Sequence, residues 1–189
     1  FYYKDMESLG AEKDESGSVI IDGHTFKKDV YVSSKFGGTI KGLELIYEQS
    51  FEDMLPEPFN GLGVRANATY IESSYDDPEL EGLPFRNMSK NLYNASVYYE
   101  KEDYRAQLSY NWNNKYLVDA NEWGGASWRD ARGTLDLTAH YNVTDAISVS
   151  LSAKNLTDTR DYTYVRVPDQ ARWLDRYGRT YSLTVSYDL

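Results

Sequence analysis

The strongest constraint on the fold is a strict alternation of apolar and polar residues near the end of the chain. Between Thr180 and Leu189 every second residue is apolar, beginning with Tyr181 and Leu183, and the residues between them are Thr, Ser or Asp. Successive side chains of a β-strand point to opposite faces, whereas a helix would scatter both sets around its axis. The segment therefore predicts a strand with one apolar and one polar face.

The same alternation recurs upstream, and Phe1–Asp5 has the character of the end of an earlier strand. The upstream segments with this pattern are 43–48, 64–70, 93–99, 104–113, 134–141 and 147–154. No amphipathic helix of convincing length separates them. The chain is therefore predicted to be all-β and antiparallel, with about seven full strands and part of an eighth.

The connections between these segments alternate in length. Glu102–Asp103 and Asn142–Asp145 are tight polar turns, and residues 51–60 form a somewhat longer turn. The long connections are residues 6–36, 75–87, 118–128 and 157–172. A meander with short turns at one end and long loops at the other is typical of a transmembrane β-barrel, whose long loops are extracellular.

A soluble β-sandwich or lipocalin-like barrel is the alternative, and the composition first favours it. Lys and Arg total 20 against 30 Asp and Glu, so the net charge is −10, and the mean hydropathy is −0.66. No stretch approaches the roughly 18 apolar residues of a membrane-spanning helix. However, several predicted strands approach the length that crosses a bilayer, and many of the 18 Tyr residues gather near strand ends, as in the aromatic girdles of membrane barrels.

The polar face of the strands separates the two possibilities further. Burying its charged and amide side chains in a dry core without partners would cost several kcal/mol each. A wet lumen would accept them. The residues predicted to face the lumen are Arg105, Gln107, Asn111, Asp136, His140 and Lys154.

Catalysis, metal binding and nucleic-acid binding are not indicated. The chain has no Cys and two His, and it contains no constellation that suggests an enzyme, a cofactor or a metal centre. Its acidic balance disfavours a nucleic-acid partner. Four acidic residues, Asp76, Asp77, Glu79 and Glu81, share one loop but lack the spacing of an EF-hand. We interpret them as a solvated acidic loop, with Ca²⁺ binding as the open alternative.

Solute binding is predicted in the long loops, because loops carry function where strands form the scaffold. Their aromatic side chains could stack on sugar rings or on a catechol, or could pack loop against loop. The candidate residues are Trp123, Trp128, Trp173, Tyr162, Tyr164 and Arg166. The loops are acidic overall, which favours a neutral oligosaccharide over an anionic ferric siderophore.

Four short motifs resemble one family of receptors. Lys41–Leu45 is similar to its K-G-x-E-L strand, and Leu83–Lys90 is similar to a loop that enters a late strand of its barrel. Asn155–Asp158 resembles its N-L-T-D segment, and Gly178–Tyr181 resembles its G-R-x-Y ending. In this order the motifs resemble TonB-dependent outer-membrane receptors, and most of all the Xanthomonas/Caulobacter-type subgroup.

The resemblance implies a barrel of about 22 strands closed around a plug. Residues 1–189 would be the C-terminal part of that single barrel domain, without the plug. The resemblance also implies active import of a scarce nutrient across the outer membrane of a Gram-negative bacterium, driven by the TonB-ExbB-ExbD complex through the missing N-terminal part. Outer-membrane lipids, lipopolysaccharide, a small solute and a surface lipoprotein are the expected partners.

Several alternatives remain open at this point. A ferric-siderophore receptor of the same family would have the same strands. A small stand-alone outer-membrane barrel or porin, or a soluble β-domain with an internal ligand, would also show the alternation. Barrels of the family usually end in an aromatic residue, whereas this chain ends in Leu189 with Tyr187 two positions before it.

Overall fold

The computed structural model describes residues 1–33 and 36–188, so Leu189 lies outside the described part. The regular secondary structure of the described residues consists of strands and two short 3₁₀ turns, at Phe59–Gly61 and Pro78–Leu80. In chain order the strands are β1 (Tyr2–Met6), β2 (Ala11–Ile21), β3 (His24–Ser33), β4 (Gly38–Ser50), β5 (Leu62–Tyr75), β6 (Asn91–Lys101), β7 (Tyr104–Asn113), β8 (Tyr116–Glu122), β9 (Gly125–Arg129), β10 (Arg132–Thr144), β11 (Ile147–Lys154), β12 (Asp161–Val165), β13 (Ala171–Asp175) and β14 (Thr180–Tyr187).

Eight of these strands form one large sheet in the order β1-β4-β5-β6-β7-β10-β11-β14. Neighbouring strands pair antiparallel throughout. Each segment that the alternation marked as a strand lies in this sheet, and Phe1–Asp5 overlaps β1. The all-β, antiparallel prediction is therefore confirmed, with β1 and β14 at the two edges of the sheet.

The pairing register sorts the alternating residues onto two faces. Leu137 lies opposite both Leu108 and Ala153, and Leu108 lies opposite Val97. Residues opposite each other point to the same side, so one face collects the apolar positions of neighbouring strands. Many of these apolar side chains are exposed in the described structure: Leu43, Leu45, Tyr47, Tyr93, Val97, Leu108, Tyr110, Leu151, Leu183 and Val185. A continuous exposed apolar band of this kind calls for contact with lipid or with protein.

The long connections contain β-hairpins that the alternation did not predict. Strands β2 and β3 form one hairpin, which is a two-stranded sheet of its own. Strands β8 and β9 form a second hairpin, and β12 and β13 form a third. The second and third join edge to edge into a four-stranded sheet in the order β13-β12-β9-β8, hereafter the hairpin sheet.

Turns and hairpins lie at opposite ends of the large sheet. The connections from β4 to β5, from β6 to β7 and from β10 to β11 are short, and the antiparallel meander places them at one end. The three hairpins and residues 76–90 connect the strands at the other end. Within the described residues, no helix is both long and apolar enough to cross a membrane.

The small core of the molecule lies mostly among the hairpins and the adjoining connection, and Ala153 of β11 is the buried apolar residue that the large sheet contributes among those described. Leu117 of β8, Tyr164 and Val165 of β12 are buried. Phe85, from the connection between β5 and β6, is buried against Tyr75 with ring centroids 4.8 Å apart. The hairpin sheet is therefore a packed structure that holds its side chains in fixed positions.

Candidate functional site

The hairpin sheet and its turns carry the aromatic residues that the sequence proposes as solute contacts. Trp128 of β9 lies directly opposite Tyr164 of β12, and Trp173 of β13 lies opposite Thr163. Tyr162 and Tyr164 have ring centroids 6.0 Å apart. Tyr164 is only 3% exposed, so its ring packs inside the sheet. The exposed aromatic surface is contributed by other members of the set.

Two of the tryptophans meet around an arginine at the outer end of the hairpins. Trp123 stands in the turn between β8 and β9, where it has a positive φ of 49°. The Arg172 guanidinium lies 5.7 Å from the Trp123 ring and 5.6 Å from the Trp173 ring. Trp123 is 74% exposed and Trp173 is 56% exposed. Two accessible indole rings therefore flank one cation.

The charge of that arginine is balanced locally. Arg172 forms a salt bridge with Glu122, and both side chains are largely buried. We call these four residues, Glu122, Trp123, Arg172 and Trp173, the tip cluster. The tip cluster presents flat aromatic surface and hydrogen-bonding groups with almost no net charge.

Arg166 fixes the turn that carries Trp123. Its Nη2 donates a hydrogen bond to the carbonyl oxygen of Gly124, and its backbone N–H donates to Ala126 at 2.9 Å. A Cβ on Gly125 would lie 2.6 Å from Arg166 Cγ, so only glycine allows this close approach. Arg166 therefore holds the β8–β9 turn against the end of β12.

A cluster of three charged side chains joins the hairpin sheet to the large sheet. Asp161 of β12 is 7% exposed and lies 3.1 Å from Arg132 of β10 and 3.7 Å from Arg129 of β9. Arg129 Nη1 also donates a hydrogen bond to the Tyr116 hydroxyl at 3.0 Å, and this bond raises the pKa of Arg129. Two cations and one anion thus cross-link three strands beneath the tip cluster.

A salt bridge and side-chain hydrogen bonds also hold the connection that follows β11 in place. Arg176 forms a salt bridge with Asp158, which lowers the pKa of the Asp158 carboxyl. Asn155 donates from its side-chain amide to the carbonyl oxygens of Thr159 (3.1 Å) and Gly178 (3.0 Å). Asn155 belongs to the N-L-T-D motif, so that motif ties the ends of β11 and β14 together.

The last tryptophan of the set has a different neighbour. Trp128 is half-buried, and the Lys115 ammonium lies 5.1 Å from its ring centroid. The two residues line a cavity between the hairpin sheet and the ends of β4 and β5. Trp128 is therefore separated from the tip cluster and belongs to another surface.

The six residues predicted to face the lumen share the polar face of the large sheet. Arg105 lies opposite His140, Gln107 lies opposite Thr138, and Asp136 lies opposite Ser109. Asn111 lies opposite Asn94 and Thr134, and Lys154 lies opposite Thr180. Their alternation with the apolar band places all six on the side away from it. That this side borders a lumen stays a prediction.

Most of these polar residues have hydrogen-bonding partners on the same face. His140 Nδ1 lies 2.9 Å from Ser150 Oγ, and its Nε2 lies 2.9 Å from Asn142 Oδ1. Arg105 pairs with Glu100 at 3.0 Å, and Gln107 donates to Ser109 Oγ at 2.8 Å. Asp136 accepts the backbone N–H of Asn155 at 2.7 Å. The face is thus an ordered polar surface.

The acidic loop has a structural role that the sequence did not indicate. Asp77 caps the 3₁₀ turn Pro78–Leu80, because its Oδ1 accepts the backbone N–H of Glu79 at 2.9 Å. Over the described ranges, no group of three or more His, Asp or Glu side chains is placed to hold a metal ion.

Sequence reasoning missed Glu122, Asp161 and Arg172. Each of them pairs with a residue from a different hairpin or strand. Arg172 and Glu122, which pair with each other, are about fifty positions apart in the sequence. The only signal available was the excess of charged residues in the long connections. That signal shows neither which charges pair nor that an arginine lies between two tryptophans.

Comparison with protein families identifies the class. Residues 3–156 match the family model described as TonB dependent receptor-like, beta-barrel. The match covers most of the chain, so the chain belongs to the TonB-dependent receptors and its large sheet is part of their β-barrel. Barrels of this family are outer-membrane proteins of Gram-negative bacteria. The subgroup named from the motifs stays a prediction.

Solved structures show the same fold. The siderophore receptor PiuA from Acinetobacter baumannii matches with a TM-score of 0.59 and 18% identity, over 94% of this chain and 25% of that one. The FpvAI–pyocin S2 complex matches with a TM-score of 0.59 and 16% identity, over 95% of this chain and 23% of that one. This chain therefore spans about a quarter of the structures it matches. Comparison with curated proteins gives no match.

Proposed function

We propose that the chain is the C-terminal part of a TonB-dependent importer that takes up a neutral oligosaccharide across the outer membrane. The tip cluster is the observation that carries this proposal. Two exposed indole rings offer stacking surface to a sugar ring, and the Glu122–Arg172 pair between them adds almost no net charge to that surface. In this account the tip cluster of the hairpin sheet recognises the solute and the large sheet forms the wall of the transport barrel.

Pairing of arginines with carboxylates in and beside the hairpins favours a neutral solute. Arg172 is paired with Glu122, Arg176 with Asp158, and both Arg129 and Arg132 with Asp161. An anionic solute would have to displace carboxylates that already occupy these guanidinium groups. A neutral polyhydroxylated solute can hydrogen-bond to the paired groups without breaking them.

The energy-coupling steps belong to other parts of the receptor. Import would be driven by TonB with ExbB and ExbD through a plug that this chain does not contain, and the polar face with Arg105, Asn111 and His140 would border that plug. A surface lipoprotein could deliver the solute to the hairpins. The chain would act in recognition and passage, without an enzymatic step or a cofactor.

A ferric siderophore is the second candidate solute. One structural neighbour is named as a siderophore receptor. The aromatic rings of Trp123 and Trp173 could stack on a catechol as well as on a sugar. Arg166 supports this alternative, because its guanidinium donates to a backbone carbonyl and keeps its positive charge near the tip cluster.

The experiment compares two kinds of uptake by the full-length receptor in cells that lack their own copy. Growth on neutral oligosaccharides as the carbon source is measured beside iron-limited growth on ferric siderophores. The Trp123→Ala/Trp173→Ala variant should bind the oligosaccharide about 5- to 160-fold more weakly, since two aromatic contacts contribute about 0.5–1.5 kcal/mol each.

A matched control removes two exposed aromatic residues from another hairpin. Phe26→Ala/Tyr31→Ala changes β3 and should leave uptake unchanged. Receptor-dependent growth on siderophore iron without any oligosaccharide uptake would refute the proposed solute. Unchanged oligosaccharide binding by the Trp123→Ala/Trp173→Ala variant would refute the proposed site.

A further inference from the structure

The β2–β3 hairpin stands apart from the other strands. Among the described residues β2 and β3 pair only with each other, whereas the β8–β9 and β12–β13 hairpins join into one sheet. The two strands have 11 and 10 residues, so both outer edges of the hairpin are long. A two-stranded hairpin is at best marginally stable in water, and a third strand or a packed face is needed to hold it.

The apolar face of this hairpin does not supply that support within the described structure. Val19 lies opposite Phe26, and Ile21 lies two residues further along β2 on the same face. All three side chains are exposed. Pairing along one of the outer edges is therefore the remaining way to stabilise the hairpin.

The turn of the hairpin determines which backbone groups point outward. The two residues of the turn Asp22–Gly23 have φ values of 49° and 80°, as in a type I′ turn. The flanking pair, Ile21 and His24, is then hydrogen-bonded across the hairpin, and the following pairs alternate. The backbone N–H of Ser18 therefore points to the outer edge of β2, and that of Lys27, directly opposite, points to the outer edge of β3.

The hairpin sheet shows how neighbouring hairpins of this receptor join. Strand β9 precedes β10, β12 follows β11, and β10 pairs with β11 in the large sheet. Strands β9 and β12 are thus the two hairpin strands that face each other, and they pair between Ser127–Arg129 and Thr163–Val165. Each hairpin is joined through the strand that lies next to the neighbouring long connection.

The same rule distinguishes the two edges of the β2–β3 hairpin. Strand β3 precedes β4 and faces the connection of residues 76–90, which contains a 3₁₀ turn and no strand. Strand β2 follows β1 and faces across it, and β1 is an edge of the large sheet. This chain spans about a quarter of the structures it matches, and closure of a barrel pairs every edge strand with another. The next long connection of the closed barrel therefore faces β2.

We infer that the outer edge of β2 binds an extended strand from the neighbouring extracellular connection of the same receptor, on the far side of β1. The strand adds to β2 through backbone hydrogen bonds, as β12 adds to β9, and forms a second joined sheet at the mouth of the barrel. The outer edge of β3 stays free. This pairing is independent of which solute the receptor imports.

The test compares amide hydrogen exchange at the two edges in the purified full-length receptor, resolved to single residues and corrected for intrinsic rates. Ser18 and Ile20 of β2 should exchange about 2- to 13-fold more slowly than Thr25 and Lys27 of β3, which is the range that one backbone hydrogen bond contributes. Equal exchange at the two edges, or slower exchange at β3, would overturn the inference. Protection of β2 that disappears on dilution would show that a second copy of the receptor occupies the edge, and would also overturn it.

A matched pair of proline variants tests the edge itself, since proline is tolerated only where the backbone N–H has no partner strand. Ser18→Pro should raise the exchange rate of Ile20 to that of Thr25. Lys27→Pro, directly opposite, should leave Ile20 protected. The heat-dependent gel shift of folded barrels verifies that both variants are folded. Equal effects of the two variants on Ile20 would contradict the assignment of the third strand to β2.

Discussion

The large sheet and the hairpin sheet are both antiparallel, but they are stabilised in different ways. Along the large sheet, apolar side chains such as Leu108 and Leu183 are exposed on one face, and polar side chains such as Gln107 and His140 occupy the other. The hairpin sheet instead buries Leu117 and Tyr164 and places salt bridges between its strands.

This difference follows from the surroundings of each sheet. A sheet between lipid and a polar interior must alternate strictly, since the side chains that face lipid are apolar and those that face the interior are polar. A small sheet that packs on both sides in water can bury residues at successive positions, and four of the five residues of β12 are buried. Alternation of apolar and polar residues therefore indicates that the two faces of a strand have different surroundings. A strand without such surroundings need not alternate.

The largest predicted effect is on the apolar face of the large sheet. Leu137→Arg places a charge near the middle of β10 and should destabilise the receptor in lipid vesicles by about 2–4 kcal/mol. Thr138→Arg, on the opposite face, should cost much less. Urea unfolding of the two variants side by side measures the difference. Equal losses would show that the two faces are not distinct.

Seven strands of the large sheet were predictable because their alternation is long and regular, and β1 was predicted only as the end of a strand. The hairpin sheet was not predictable, because β9, β12 and β13 have five residues each, which is too short for an alternation to stand out from the surrounding sequence. The aromatic candidates Trp123 and Trp173 were also predictable, as unusual residues in long connections. Their arrangement around Arg172 depends on pairing between two hairpins, which no local pattern encodes.

A smaller effect is expected at the joint between the two sheets. Asp161→Asn removes the buried anion between Arg129 and Arg132 and should destabilise the hairpin sheet by about 1–3 kcal/mol, since two partly exposed guanidinium groups lose the carboxylate that pairs with them. Hydrogen exchange of the β9 and β12 amides should accelerate, while that of β6 and β7 should not change.

The control for this joint is Asp169→Asn, an exposed carboxylate in the turn between β12 and β13. It should leave the exchange rates of β9 and β12 unchanged. If Asp161→Asn accelerates exchange across the large sheet as well, the two sheets unfold together and the contrast between them does not hold.

The smallest effect is expected at the short-turn end. Lys101 lies 2.8 Å from Glu57, and its hydrogen bond lowers the pKa of Glu57 below the ordinary value of 4.5. A lowered folded-state pKa means that the pair stabilises the fold above pH 4.5 and loses this contribution as the pH falls through the lowered value. The stability difference between the receptor and Glu57→Gln should therefore shrink on acidification. A difference that grows on acidification would contradict this sign.

The central claim is that the apolar face of the large sheet meets lipid and its polar face does not. Spin labels attached at Leu108→Cys and Ser109→Cys, adjacent positions on opposite faces of β7, test it directly, because this chain has no cysteine of its own. In lipid vesicles the label at position 108 should collide often with dissolved oxygen, which concentrates in the acyl chains, and the label at 109 should collide less. Equal or reversed oxygen collision rates would contradict the account.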